Sequence, residues 1–299
     1  MKKLGLQPQI MPMTHGIDLI KITEMNKYLG KLNLKEVPEI VFFGSDSWSI
    51  HVLKALEDNF NVKAVVTSSN SPVADYFKGP ILTPQKLDQD FITNHLSFLA
   101  SDLFIVASYG KIIPQSLLDI PKFGALNVHP SLLPNYRGAS PVPTTILAGD
   151  KKTGVTIIKM DEKMDHGPII ITKEIKLSGQ EELTTLINKL FQLGAATLVD
   201  SIPDFLAGKL SLKFQDHSKA TFTKLLKKED GYFEIYNPPD KEKLDRMIRA
   251  YSPWPGVWTK WNNKVVKFLP GNMLQMEGKK PTPFKVFLNN YPNFPIKSL

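Results

Sequence analysis

The sequence predicts a doubly wound α/β domain on a mostly parallel sheet, followed by a smaller β-rich domain resembling a small barrel. Three observations lead there. Continuous apolar runs recur at 40–44, 62–67, 102–108 and 124–128, and helical periodicity fills much of the space between them, as expected of strands buried on both faces. A polar stretch, Gly208 to Phe222, then breaks the rhythm. Beyond it, short strand-like segments with turn signals replace the long buried runs.

Taken in order, residues 1–37 are Lys-rich, with no strand or Pro/Gly framework beyond a weak amphipathic pattern from Gly16 to Leu34. They read as an amino-terminal extension dispensable for chemistry, or as sequence ahead of a start at Met11, Met13 or Met25. Ile40 to Gly44 is the first strand, with Gly44 allowing a sharp entry into a helix over Ser45–Asn59, capped by Asp46 or Ser47. No G-x-G-x-x-G follows, so a dinucleotide site lacks its phosphate cradle. Val62–Thr67 is a second strand and Ser68–Pro84 a loop, marked by Ser-Asn-Ser-Pro and Gly-Pro. Asp102–Ser108 is another buried strand, turned by Tyr109-Gly110.

Gly124 to Val128 follows as a buried parallel strand stopped by Pro130. Ser140–Gly149 reads as a helix, and Gly154–Met160 with Ile169–Leu177 as antiparallel edge strands. Glu181–Leu206 has helical periodicity, with Gly194 and Pro203 as kinks or breaks. The expected organisation is an extension 1–37, a catalytic domain 38–207, a linker 208–222 and a basic β-rich domain 223–299. In the last, Asp240–Tyr251 is a helix, Trp254 belongs to the core, and Val257–Trp261, Val265–Leu269 and Phe284–Leu288 are strands, with Asn262-Asn263 as a turn.

The chain of 299 residues is 42% hydrophobic and 22% charged, the composition of an ordinary globular protein. The absence of cysteine excludes disulfides, thiolate metal sites and cysteine nucleophiles. Apolar stretches fall short of a membrane span and the start lacks a signal-like apolar core, so a cytoplasmic protein without membrane contact is expected. The net charge of +8 is uneven: from Leu210 onward 16 Lys and Arg face 8 Asp and Glu, while the first 209 residues hold 21 of each. A basic last third attracts polyanions, although a solvated face explains the charge equally well.

The chemistry concentrates around Asn127-Val128-His129-Pro130. Asn127 and His129 are two apart on a strand, so both point the same way at its carboxyl end, where open α/β sheets bind ligands. His129, Asn127 and Asp165 are the candidate catalytic residues. Imidazole can shuttle a proton, an amide N–H can stabilise an oxyanion, and a carboxylate can orient the imidazole. Taken alone Asp165 reads as a turn cap ahead of Gly167; beside Asn127 and His129 it reads as the third catalytic residue. No metal-ligand spacing is present, since His51, His95, His129, His166 and His217 are scattered.

Asn-x-His-Pro-Ser-Leu-Leu-Pro at 127–134, Arg-Gly-Ala-Ser-Pro at 137–141 and Asp161-x-x-x-Asp165-x-Gly167 resemble the folate-dependent formyltransferases. Ser108-Tyr109-Gly110 and Ser252-Pro253-Trp254-Pro255-Gly256 extend the likeness from about Ile40 to Phe268, pointing to the members that formylate methionyl-tRNA. The resemblance implies a formyltransferase-like variant of the dinucleotide-binding fold with an OB-like carboxyl-terminal domain. It implies 10-formyltetrahydrofolate as co-substrate, held by Ser131, Leu132, Leu133 and Pro134. The implied partner is initiator methionyl-tRNA, with Arg137, Arg246 and Arg249 as candidate contacts and a monomer as the working unit. In that family the Ser68–Pro84 connection carries a basic insertion, whereas here Lys78 is its one cation. The alternative implied acceptor is an amino sugar on a nucleotide.

Overall fold

The computed structural model describes residues 37–298, so the expected extension lies outside the described residues except for Val37. The first eight strands are β1 (Glu39–Phe43), β2 (Asn61–Val66), β3 (Ile81–Leu82), β4 (Leu103–Val106), β5 (Ala125–His129), β6 (Arg137–Gly138), β7 (Lys152–Lys159) and β8 (Ile169–Lys176). Seven of them form one sheet in the order β3-β2-β1-β4-β5-β7-β8. β3, β2, β1, β4 and β5 run parallel, then β7 and β8 run antiparallel. Strand order reverses between β1 and β4, which places the ligand crevice of a doubly wound sheet outside the carboxyl ends of β1, β4 and β5. The mostly parallel sheet is as expected.

Helices flank the sheet: α1 (Ser49–Asn59), α2 (Pro72–Tyr76), α3 (Gln89–Leu99), α4 (Gln115–Leu118), α5 (Pro141–Ala148) and α6 (Leu183–Leu206). Asp46 accepts from the backbone N–H of Trp48 and Ser49 at 3.1 and 3.0 Å, holding the turn that enters α1. Pro141 opens α5, where a missing N–H costs nothing, and Gly149 ends it with φ +69°. Two expectations change here. Ser68–Pro84 contains α2 and the edge strand β3 rather than loop alone, because Ser71 caps α2 through Ala74 N. α6 is one helix of 24 residues, unbroken at Gly194 and Pro203. Gly194 serves close packing instead: a methyl group there would lie 2.5 Å from Val128 Cγ1 on β5.

After α6 come β9 (Phe222–Thr223), α7 (Lys241–Tyr251), β10 (Val257–Trp261), β11 (Lys264–Leu269), β12 (Met273–Met276), β13 (Thr282–Pro283) and α8 (Phe284–Asn290). β10 to β13 form an open antiparallel meander in chain order. Asn262 and Asn263 both have positive φ, as a two-residue hairpin turn between β10 and β11 requires. Phe284–Leu288, expected as a strand, is helical. Its buried Phe284 and Phe287 are three apart and share a helix face, a pattern too short for period alone to decide. Trp254, expected in the core, is exposed; the preceding Tyr251 at the end of α7 takes the buried place.

The basic region does not stand apart. Val142 and Ile146 of α5, Val155 of β7, and Leu183, Leu186 and Leu190 of α6 share one core with Leu244, Met247, Val257, Phe268 and Phe287. The polar connection is also stitched down: Lys213 bridges Ile169, and β9 pairs with β6. Pro38 onward is one compact unit.

Candidate active site

β5 brings Asn127 and His129 to the carboxyl edge of the sheet, beside the antiparallel partner strand β7. His129 is 4% exposed, and Asn127 is half-buried. Asp165 reaches both from the loop between β7 and β8. Its Oδ1 accepts from Asn127 Nδ2 at 3.1 Å and lies 3.4 Å from His129 Nδ1, while its Oδ2 accepts from Gly138 N at 2.7 Å. His129 Nε2 lies 2.9 Å from the carbonyl oxygen of Tyr136, which can only accept. Both ring nitrogens therefore face acceptors, Nε2 the Tyr136 carbonyl and Nδ1 the Asp165 carboxylate. Asp165 occupies this position with φ +49°, a conformation few non-glycine residues adopt without support.

That support comes from a second layer. Arg137, only 3% exposed, donates from Nε and Nη2 to Gln215 Oε1 at 3.2 and 2.7 Å, and from Nη2 to His217 Nδ1 at 2.9 Å. Burial pulls the Arg137 guanidinium below its ordinary pKa, against the opposing pull of Asp165 and Asp161. His217 stacks on His166 with ring centroids 3.9 Å apart, and His166 Nδ1 is 2.6 Å from Asp161 Oδ2. Desolvation, then His166 and Arg137, hold the His217 pKa below its usual value. Thr156, opposite His129 in the ladder, donates to Ser131 O at 2.7 Å and accepts from Leu133 N at 3.2 Å, pinning the loop that follows His129.

This arrangement of amide, imidazole and carboxylate can hold an oxyanion and move one proton, the requirements of acyl transfer to an amine. The chain matches the model of the formyl transferase family over residues 24–202 and that of the formyl transferase carboxyl-terminal domain over 226–286. The chain belongs to the formyl transferase family. A methionyl-tRNA formyltransferase of Chloroflexus aggregans is 40% identical over 245 residues, 77% of this chain and 79% of the relative. Among solved structures, a methionyl-tRNA formyltransferase from Clostridium thermocellum superposes with a TM-score of 0.55 at 22% identity, over 82% of this chain and 96% of that one. A sugar N-formyltransferase from a Shewanella species gives 0.64 at 15% identity, over 81% and 99%. At such identities the structures share the fold. The family match begins at 24, earlier than the motifs themselves.

Within this formyl transferase fold, Asn127 and His129 lie on the same side of β5, as their two-residue spacing anticipates, and Asp165 meets them from the β7–β8 loop. The Ser131–Pro134 loop is tightly held. Ser131 is fully buried and donates to Asn135 O at 2.6 Å, and Leu133 is buried, which leaves Leu132 and Pro134 partly accessible. Met164, just before Asp165 in the chain, is 59% exposed. Arg137, a candidate tRNA contact in the sequence, is buried and held by Gln215 and His217. Arg249 is 9% exposed, held by Asp245 and by Glu181 O at 2.8 Å. Arg246 is partly exposed and donates to Leu147 O at 3.1 Å. Sequence reasoning missed Gln215, the Tyr136 carbonyl and Thr156. Only Thr156 left a trace, as a polar residue on a strand otherwise rich in buried apolar side chains.

Proposed function

We propose that the protein transfers a formyl group from 10-formyltetrahydrofolate to the α-amino group of methionyl-tRNA. It belongs to a family of formyl transferases, and its 40% identity to a methionyl-tRNA formyltransferase over 77% of the chain favours that acceptor over an amino sugar. The observation that carries the chemistry is Asp165 Oδ1 shared between Asn127 and His129. Asn127 has two amide hydrogens, and among the described residues only one is used, by Asp165. The second meets the oxygen of the formyl carbon as the uncharged amine attacks. With the His129 ring proton on Nδ1 toward Asp165, Nε2 turns from Tyr136 to the attacking nitrogen, takes its proton and passes it to the folate nitrogen as the bond from that nitrogen to the formyl carbon breaks. Asp165 keeps the ring in place and balances its charge when protonated.

The donor fits the site in two respects. Leu132 and Pro134 offer partly accessible apolar surface to an aromatic ring system, and the backbone at Ser131 and Leu133 is held by Thr156. For the acceptor, Lys228, Lys260 and Lys267 share a face. Lys228 Nζ lies 5.7 Å from the ring of Trp258, Lys267 is opposite Trp258 in the ladder, and Lys260 is two residues along on the same side. The protein acts in the cytoplasm as a monomer, and no described helix is long and apolar enough to cross a membrane. The deciding assay supplies formyl-tetrahydrofolate with methionyl-tRNA, free methionine or an amino sugar nucleotide. Formylation of methionyl-tRNA alone supports the reading, and formylation of the sugar nucleotide instead overturns it.

A further inference from the structure

Gln215 lies in the connection between α6 and β9, outside every motif described above, yet it is 6% exposed and touches the site from below. Its side chain uses its full hydrogen-bonding capacity. Oε1 accepts two N–H groups of Arg137, at 3.2 and 2.7 Å, and Nε2 donates to Asp165 O at 2.9 Å and Gly167 O at 2.7 Å. The orientation of the amide is unambiguous, because guanidinium only donates and carbonyl oxygen only accepts. No other side chain of similar length supplies two acceptor lone pairs and two donors from one planar group.

We propose that Gln215 is a positioning residue for formyl transfer, supplied by the connecting segment and acting through Asp165. Asp165 sits at φ +49° with its carboxylate spread over Asn127, His129 and Gly138. Gln215 fixes the carbonyl on one side of that strained residue and the carbonyl two residues on. It thereby sets the direction in which the carboxylate projects. Arg137 closes the arrangement: its guanidinium fixes the Gln215 amide, and the next residue, Gly138, supplies the N–H to Asp165 Oδ2. The inference rests on the proposed reaction, but its test compares variants with the wild-type enzyme. Failure of the wild type to formylate methionyl-tRNA counts against the reaction and not against the positioning.

The test is a double-mutant cycle on the full chain. Gln215→Glu keeps the acceptors for Arg137 and turns a carboxylate oxygen toward two carbonyls. The expected result is a fall in kcat of about 10- to 100-fold, with KM for folate and tRNA nearly unchanged. In an Asp165→Asn background the same change should cost little more, because its effect passes through Asp165. Gln215→Met provides a second, uncharged variant for the same cycle. Near-normal kcat in either folded variant overturns the proposal, as does a loss that multiplies fully with that of Asp165→Asn. Failure of both variants to fold also overturns it, by assigning Gln215 to stability alone.

Discussion

Gly194 of α6 lies against Val128, the residue between Asn127 and His129, with no room for a methyl group: its Cβ would sit 2.5 Å from Val128 Cγ1. A branched side chain on a buried strand cannot easily turn aside. Gly194→Ala is expected to destabilise by about 1–2 kcal/mol, the overpacking cost exceeding the roughly 1 kcal/mol that alanine gains over glycine in a helix. Activity should fall with it, since Val128 moves the two flanking residues. Thermal melts and kcat of Gly194→Ala, alone and with Val128→Ala, check this. Additive losses would show that the contact is not the cause.

His129→Ala should fold and lose about 10²- to 10⁴-fold in kcat, the usual weight of a positioned acid–base group. Circular dichroism with single-turnover formylation separates folding from chemistry. A folded variant of near-normal turnover removes His129 from the mechanism.

Asp165→Asn retains an acceptor for Gly138 N in one orientation, but presents N–H to Asn127 and His129, which now lack their shared acceptor. At least a tenfold loss of kcat is expected, on the order seen when an orienting group is removed. The corresponding control, Asp161→Asn, disturbs His166 and should leave kcat within a few-fold. Equal losses would make the effect one of loop stability.

The lysine face predicts a salt signature. Changing Lys228, Lys260 and Lys267 to alanine should weaken methionyl-tRNA binding and flatten the plot of log affinity against log salt by up to about three. Arg249→Ala, by contrast, should lower stability through its lost bonds to Asp245 and Glu181. Filter binding at several salt concentrations decides it: an unchanged slope in the lysine variant excludes that face.

Asp46 predicts a pH effect on stability. Burial raises its carboxyl pKa above 3.8, overcoming hydrogen bonds from Ser108, Ser49 and Trp48 that lower it. A raised folded-state pKa means that the contribution to stability is full below 3.8 and is lost as pH rises through the folded value. Asp46→Asn should therefore gain in Tm relative to wild type as pH is raised through that window. A Tm difference independent of pH contradicts it.

The strands of the large sheet were legible because β-strands buried on both faces announce themselves as unbroken apolar runs, as at Phe42-Phe43 and Leu103 to Val106. Asn127 and His129 were legible because a two-residue period is local. Asp165 needed its companions to be distinguished from a turn cap. What could not be read depends on distance along the chain. Gln215 meets Asp165 across 50 residues and Arg137 across 78, and nothing in its neighbours marks it. Gly194 looked like a helix breaker because its partner is on another element. Phe284 to Leu288 was misread because five apolar-rich residues satisfy either period.

The single core shared by α5, α6 and the meander has a consequence for exchange between relatives. Two family models divide this chain, and a graft at the connection between them would look natural in an alignment. It would nonetheless set foreign side chains against Val142, Ile146 and Leu186, and could discard Gln215 with the graft. A working hybrid therefore has to inherit both faces of that core and the connecting segment together. The unit of inheritance is the seam rather than the half.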